Sequence, residues 1–108
     1  MAITITGKSG TVYSFDMYPV SQSFNAVGAV YLMLKHDPQI GKPNWYRYIY
    51  VGETGDLSTR FSNHHKQACF DKNGVDWIGV HLDGNEKSRK SKEADIIALA
   101  TNILPCND

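Results

Sequence analysis

A glutamate on the apolar face of a predicted helix is the first residue of the sequence that suggests chemistry. Helical spacing puts Glu93 on the same face as Ile96 and Ala100, where a carboxylate is costly to bury unless it is paired or binds a cation. A glutamate in the first turn of a helix also has a simpler explanation, because its charge complements the helix dipole. The spacing leaves both explanations open.

Arg60 and His64 form a second candidate pair. They stand four residues apart in a segment with helical periodicity, so we expect both to project from one side of a helix. The planar guanidinium of arginine suits a phosphate, whereas a lone histidine beside an apolar stripe is more often a hydrogen-bonded core residue than a catalyst. His64, His65 and Cys69 do not have a recognised metal-ligand spacing.

Two tyrosines and a glycine make a third group. Tyr31 and Tyr50 stand on neighbouring predicted strands, and Gly52 closely follows Tyr50. Tyrosines in strands are usually packing residues. A glycine after a strand usually marks a turn, although it also lets another backbone or a phosphate approach closely.

Basic residues crowd into one short segment of a chain whose formal net charge is zero. A zero balance argues against indiscriminate nucleic-acid binding. The cluster is compatible with a phosphate-facing patch or with a solvated loop, and the sequence leaves both open. Its members are Lys87, Arg89, Lys90 and Lys92.

Hydrophobic patterning predicts the elements that must position these residues. Residues 1–19 predict a β-hairpin that turns at residues 7–10, and residues 21–27 predict a connector. Residues 28–34 and 46–51 predict two strands rich in β-branched and aromatic residues. Both strands are apolar on both faces, which is typical of central strands covered on two sides.

Alternation along the second of these strands predicts which side chains point the same way. One face is expected to carry three tyrosines, and the other to carry two aliphatic residues. The expected sets are Tyr46, Tyr48 and Tyr50 on one face, and Ile49 and Val51 on the other.

Two helices and a further strand complete the pattern. A helix is predicted from Leu57 to Cys69, with Asp56 or a neighbouring Ser or Thr as its N-cap. A strand at 77–82 and a last helix over about 91–101 follow. The order β-β-α-β-α predicts a mixed α/β (α+β) domain. In it a small three-stranded antiparallel sheet is flanked by helices, with the N-terminal hairpin added.

The length and composition limit the class of protein. A chain of 108 residues supports one hydrophobic core, so we predict a single domain with residues 1–26 as hairpin and connector and 27–108 as the catalytic core. No apolar run approaches the roughly 20 residues that cross a bilayer, and no signal peptide is evident. A cytoplasmic location without a membrane partner is therefore expected. Cys69 and Cys106 are expected to be free thiols.

Taken in order, these residues resemble the GIY-YIG nuclease family. The matching motifs are Gly28-Ala29-Val30-Tyr31, Tyr50-Val51-Gly52-x-Thr54-x-x-Leu57-x-x-Arg60, Glu93 on a helix, and Pro105-x-Asn107. The resemblance covers roughly residues 27–107, and the YVGxTxxLxxR block is its specific part. The first tripeptide is looser, because its glycine comes one residue early. Glu53 stands where many relatives place Lys or Arg.

The resemblance implies roles for four of these residues in cleavage. Tyr31 and Tyr50 would lie on the catalytic face around the attacking water. Arg60 would hold and polarise the scissile phosphate, and His64 would assist proton transfer. A phenol has an ordinary pKa near 10, so Tyr50 would need a nearby cation or hydrogen-bond partner to act as a base.

The resemblance also implies a cofactor, a substrate and a nucleic-acid surface. Glu93 would ligate a single Mg²⁺ or Mn²⁺ ion, and Asn107 would steady the site. The chain is expected to be a stand-alone endonuclease acting on nucleic acid, with DNA as the expected substrate. A partner protein or self-association would supply targeting. The expected nucleic-acid contacts are Gly52, Lys87, Arg89, Lys90 and Lys92.

Two other functions remain open from the sequence. A degenerate module that grips nucleic acid without cutting it is favoured by the zero net charge and by Glu53. A structural interaction domain with no nucleic-acid role would make the order of the motif residues a coincidence.

Overall fold

The computed structural model describes residues 2–61, 64–100 and 103–107. The fold is mixed α+β, as predicted, with helices packed against an antiparallel sheet. In chain order the elements are β1 (Ala2–Thr6), β2 (Val12–Pro19), β3 (Ala29–His36), β4 (Tyr46–Thr54), α1 (Leu57–Arg60), α2 (Gln67–Asn73), β5 (Trp77–Leu82) and α3 (Glu86–Ala100).

The sheet has five strands in the order β1-β2-β5-β3-β4, rather than the three predicted. The predicted hairpin of β1 and β2 forms, but β2 also pairs antiparallel with β5, so the hairpin is part of the same sheet. Alternation in β2 explains this pairing, because Tyr13, Phe15 and Met17 are buried on one face while their neighbours are exposed. Joining β5 lets that apolar face extend the core.

Each face of the sheet carries its own core. One core contains Phe15, Leu32 and Ile96, and α3 covers it. The other contains Tyr31 and Phe70, and α1 and α2 cover it. β3 lies between β5 and β4, so its apolar residues are buried on both faces as predicted, whereas β4 is an edge strand and not a central one.

A β-bulge in β4 overturns the predicted faces of its tyrosines. Met33 of β3 pairs with Tyr50, but the next residue, Leu34, pairs with Tyr48, so Ile49 is an extra residue in the register. An extra residue reverses the alternation from that point onwards. Tyr48 therefore packs against the α3-side core, while Tyr50 packs in the opposite core together with Ile49.

The predicted single helix from Leu57 to Cys69 is also wrong, because the segment forms two helices. Asp56 caps the first as predicted, its carboxylate accepting a hydrogen bond from the Ser58 N–H at 2.9 Å. The second continues to Asn73, and Gly74 ends it in a left-handed conformation with φ of 70°. α2 thus extends beyond Cys69, where the predicted helix ends, and residues 71–73 form its last turn.

α3 begins at Glu86, several residues before the predicted start near 91. Asn85 provides the cap, since its side-chain oxygen accepts a hydrogen bond from the Ser88 N–H at 2.8 Å and its carbonyl accepts one from Arg89 at 2.9 Å. The basic cluster at 87–92 is therefore helical rather than a loop. The predicted end of this helix, at residue 101, falls outside the described residues.

The two cysteines are joined, so the prediction of free thiols is wrong. Cys69 of α2 and Cys106 near the chain end form a disulfide across a sequence separation of 37 residues. Their proximity results from the C-terminal segment returning along the edge of β4, where the Cys106 N–H donates to the Ile49 carbonyl at 3.0 Å. Two distant single cysteines carry no signal of this approach.

Candidate active site

The buried hydroxyl of Tyr31 is a hydrogen-bond junction. Tyr31 has no exposed surface, and its Oη accepts a hydrogen bond from Arg60 Nε at 2.9 Å. The same oxygen lies 2.7 Å from His64 Nε2. The sequence predicted that one helical face would carry Arg60 and His64. They instead lie on either side of a helix break and converge on a tyrosine from β3.

The hydrogen bonds of His64 define its proton arrangement. The Lys66 N–H donates to His64 Nδ1 at 3.0 Å, so Nδ1 carries no proton. Burial of the ring, and then the nearby Arg60 charge, lower the pKa of His64 from 6.5 to about 4. The neutral ring therefore carries its proton on Nε2 and donates it to Tyr31.

Tyr50 lies beside this junction, turned there by the bulge. The Tyr31 and Tyr50 rings are 6.0 Å apart between centroids. Burial raises the pKa of both hydroxyls, and Arg60 opposes the rise at both. At Tyr50 the Glu93 charge adds to the rise, while a hydrogen bond from Tyr31 opposes it. Tyr31 is the more deeply buried of the two, and burial raises its pKa strongly, so Tyr50 is the better placed of the two to lose a proton.

Gly52 has a steric reason to be glycine. A β-carbon at this position would come within 2.6 Å of Tyr31 Oη and 2.8 Å of Tyr50 Cε2. Gly52 is itself buried. The predicted phosphate contact is therefore not what accounts for this glycine, because the two tyrosine rings already occupy the space above it.

Glu93 lies too far along its helix for the dipole explanation. It comes seven residues after Glu86, where α3 begins, and the dipole effect fades after the first turn. Glu93 is half-buried. Burial and then the Glu53 charge raise the pKa of its carboxyl, while Arg60 and then the Glu53 backbone are close enough to lower it.

The carboxylate of Glu93 fits the divalent cation that the sequence implies. Oxygen ligands with a net negative charge are what Mg²⁺ and Mn²⁺ prefer, and a bound cation would relieve the repulsion between Glu93 and Glu53. No group of three or more His, Cys, Asp or Glu side chains suited to a metal occurs in the part of the chain that is described. A cation at Glu93 would therefore retain most of its ligands as water.

Asn107 holds the edge strand directly behind the tyrosines. Its side-chain oxygen accepts from the Val51 N–H at 2.8 Å, and its side-chain nitrogen donates to the Val51 carbonyl at 2.9 Å. The amide thus replaces a strand partner for the residue between Tyr50 and Gly52. It contacts the backbone of the site and not its side chains.

The four members of the basic cluster lie on one helix but differ in exposure and in their partners. Arg89 is buried and bonds Glu53 at 2.9 Å. Lys92 bonds Asp83 at 2.9 Å, and Lys90 bonds Glu86 on the helix surface at 2.9 Å. Lys87 and Lys90 are exposed, so they are better placed than the other two for phosphate contacts.

Two phenylalanines that sequence reasoning missed enclose the tyrosine pair. The Phe61 ring lies edge-on to Tyr31 with centroids 5.1 Å apart. Phe70 lies 5.3 Å from Tyr50 and 4.7 Å from His64 between centroids. The only sequence signal was that Phe61 directly follows Arg60.

Comparisons with protein-family models, with curated proteins and with solved structures find no match to this chain. Within the described ranges, no helix is long and apolar enough to cross a membrane. A functional assignment for this chain therefore depends on the geometry of the site.

Proposed function

We propose that this chain is a metal-dependent endonuclease of the GIY-YIG type that hydrolyses phosphodiester bonds, with DNA as its substrate. One observation carries the proposal. Tyr31, Tyr50, Arg60 and Glu93 come from four different elements, yet each alters the ionisation of at least one other. Phosphodiester cleavage needs a cation on the phosphate, a base for water and help for the leaving oxygen.

Arg60 suits the phosphate-binding role because it is only partly committed. A guanidinium has five N–H donors, and the Nε donor is used by Tyr31. Its remaining donors can serve Tyr50 and one non-bridging phosphate oxygen. The bond to Tyr31 fixes the direction of the fork, which reduces the entropy lost when a phosphate binds.

Tyr50 is proposed as the base that accepts the proton of the attacking water. Hydrogen bonds from Tyr31 and Arg60 stabilise its deprotonated form against the effect of burial. His64 has its Nε2 proton directed at Tyr31, so we assign it a positioning role rather than the proton transfer implied by the resemblance. A divalent cation held by Glu93 would supply Lewis-acid stabilisation of the leaving oxygen.

The test is cleavage by pure protein of plasmid, branched DNA and RNA in Mg²⁺, Mn²⁺ or EDTA, with Glu93→Gln beside wild type. Glu93→Gln keeps the shape of the side chain and removes the charge that retains the cation. We expect cleavage to fall by about 10²-fold or more, with unchanged folding and with unchanged nucleic-acid binding in EDTA. Glu86→Gln, on the exposed first turn of the same helix, is the matched control.

The products and the cation requirement provide a second check. Water attack should leave a 5′-phosphate and a 3′-hydroxyl, and EDTA should abolish cleavage. Full activity in EDTA, products ending in a cyclic phosphate, or undiminished cleavage by Glu93→Gln would each contradict the proposal.

A binding module without activity is the second candidate, and Glu53 favours it. This residue adds a negative charge close to Glu93, at the end of the strand that carries Tyr50. Nucleic-acid binding without cleavage in any metal would support this candidate. Absence of binding as well would support an interaction domain with no nucleic-acid role.

Two features of the chain point to different cellular locations. The sequence favours the cytoplasm, but the Cys69–Cys106 bond is of a kind that persists mainly in oxidising compartments. Mass measurement of the protein with and without thiol alkylation, on material taken directly from its cellular source, would decide between them.

A further inference from the structure

Arg89 is a buried cation that the proposed cleavage mechanism does not use. Its side chain is 7% exposed, and its Nε donates to a Glu53 carboxylate oxygen at 2.9 Å, with the Glu53 side chain 18% exposed. A second guanidinium nitrogen donates to the Asp83 carbonyl at 3.1 Å. A buried ion pair with these additional bonds is costly to break, because removal of one partner leaves the other charge uncompensated.

One glycine makes room for this guanidinium, and a second lies beside it. A β-carbon on Gly28 would lie 2.6 Å from Arg89 Nη1, and one on Gly55 would lie 3.4 Å from Nη2. Gly28 precedes β3 and Gly55 follows β4. The fold therefore receives Arg89 in a niche at the ends of the two strands that carry Tyr31 and Tyr50.

The niche is connected to Glu93 by two short links. Arg89 and Glu93 are four residues apart in α3, so they lie one turn apart on the same side of the helix. Glu53, the ion-pair partner of Arg89, comes close enough to the Glu93 carboxylate for its charge and its backbone to shift the pKa of Glu93. One residue of β4 thus pairs with α3 at Arg89 and lies beside α3 again at Glu93, one turn further on.

We propose that Arg89 is a positioning residue, and that its ion pair with Glu53 fixes the Glu93 carboxylate in the orientation that binds the divalent cation. The inference rests on the proposed function, since it assigns Glu93 as the cation ligand. Arg89 also offsets part of the Glu53 charge, which repels the Glu93 carboxylate. Outer contacts of this kind hold a metal ligand in place, and their loss typically weakens metal binding by about 10- to 100-fold.

The experiment measures Mn²⁺ binding without nucleic acid, from paramagnetic broadening of backbone amide signals near Glu93. The variants are Arg89→Met, which keeps length and removes charge, and the exchange Glu53→Arg with Arg89→Glu, which restores an ion pair. Lys72→Met is the matched control, because Lys72 is exposed on α2. Melting temperature is recorded for each variant.

We expect the Mn²⁺ concentration for half-maximal broadening to rise about tenfold in Arg89→Met. The exchange variant should recover most of this loss, and Lys72→Met should match wild type. The Mg²⁺ dependence of cleavage should shift in parallel, while nucleic-acid binding in EDTA should not change. A folded Arg89→Met protein with a wild-type Mn²⁺ response would overturn the inference.

The exchange variant decides the matter if Arg89→Met does not fold. A folded exchange variant that binds Mn²⁺ supports the inference, whereas one that folds without binding overturns it. If neither variant folds, the ion pair supports the whole domain rather than Glu93, and the inference fails. The proposed function is tested separately. It fails if Glu93→Gln shows the same Mn²⁺-induced broadening of amide signals as wild type and cleaves at the same rate.

Discussion

Two arginines lie near the end of β4, and they differ in exposure and in the charge of their hydrogen-bond partners. Arg60 is the last residue of α1, on the Tyr31 side of the sheet, is partly exposed, and donates to a neutral phenol. Arg89 belongs to the helix on the other side, is buried, and donates to a carboxylate. A phosphate must compete with the partner that a guanidinium already has, and a neutral partner competes less than a charged one.

Their partners and burial suit Arg60 to the phosphate-binding role proposed for it and make Arg89 a structural cation. The motif block assigns Arg60 to phosphate, whereas Arg89 lies in the basic cluster that the sequence assigned to nucleic acid. In the fold, the ion pair of Arg89 with Glu53 takes that cation away from the surface. Residue type alone could not separate the two, since the difference lies in the charge and burial of their partners.

The largest expected difference between the two arginines is in activity. Arg60→Ala should lower kcat/KM by about 10²- to 10³-fold, because it removes donors aimed at the charge that develops on the phosphate. The domain should stay folded, since Tyr31 retains its hydrogen bond with His64. Steady-state cleavage and melting temperature test this together. A folded Arg60→Ala protein that cleaves at the wild-type rate would reverse the assignment of the two arginines.

A smaller effect is expected in the pH dependence of stability around Arg60. Folding lowers the pKa of His64 from 6.5 to about 4, so between these pH values the unfolded chain binds more protons than the folded chain. The free energy of unfolding should therefore decrease as pH falls through this window, by on the order of 1 kcal/mol after solvent screening. His64→Gln should flatten this part of the profile.

Denaturant unfolding between pH 7 and pH 4 measures this contribution. His36→Gln is the control, because it removes a histidine at the opposite end of β3 from Tyr31. It should keep the wild-type slope. Equal slopes for wild type and His64→Gln would mean that His64 is not held neutral beside Arg60.

The smallest expected effect concerns the exposed part of the basic cluster. Changing Lys87 and Lys90 to Gln together should make the plot of log affinity against log salt shallower by about two units, if each contacts one phosphate. Lys8→Gln with Lys72→Gln makes the same charge change elsewhere on the surface. A slope equal to that of this control would return the cluster to the status of a solvated helix face.

The strands were predictable because their signal is local. Alternation identified the N-terminal hairpin, and continuous apolar runs identified β3 and β5, the latter with the same bounds as observed. The capping by Asp56 was also predictable, because a carboxylate and the N–H two residues later lie in one short segment. Asn85 would have revealed the early start of α3 by the same reasoning.

The helices and faces that were predicted wrongly depend on distant contacts. The bulge at Ile49 reverses the direction of Tyr50, and it exists only in the register between β3 and β4. The break after Arg60 is compensated by bonds from Arg60 and His64 to Tyr31, a residue of another element. Neither can be read from helical or strand periodicity, which describes one segment at a time.

Local sequence was enough to predict the strand pattern, Gly52 after the second central strand and the order of residues that resembles a nuclease motif. Which of these residues meet, which arginine is buried and that Cys69 bonds Cys106 depend on the three-dimensional fold. Propensity and periodicity are properties of neighbouring residues. Burial, ion pairing and pKa shifts depend on groups brought together from distant parts of the chain, and these determine which side chains remain free to bind a phosphate or a cation.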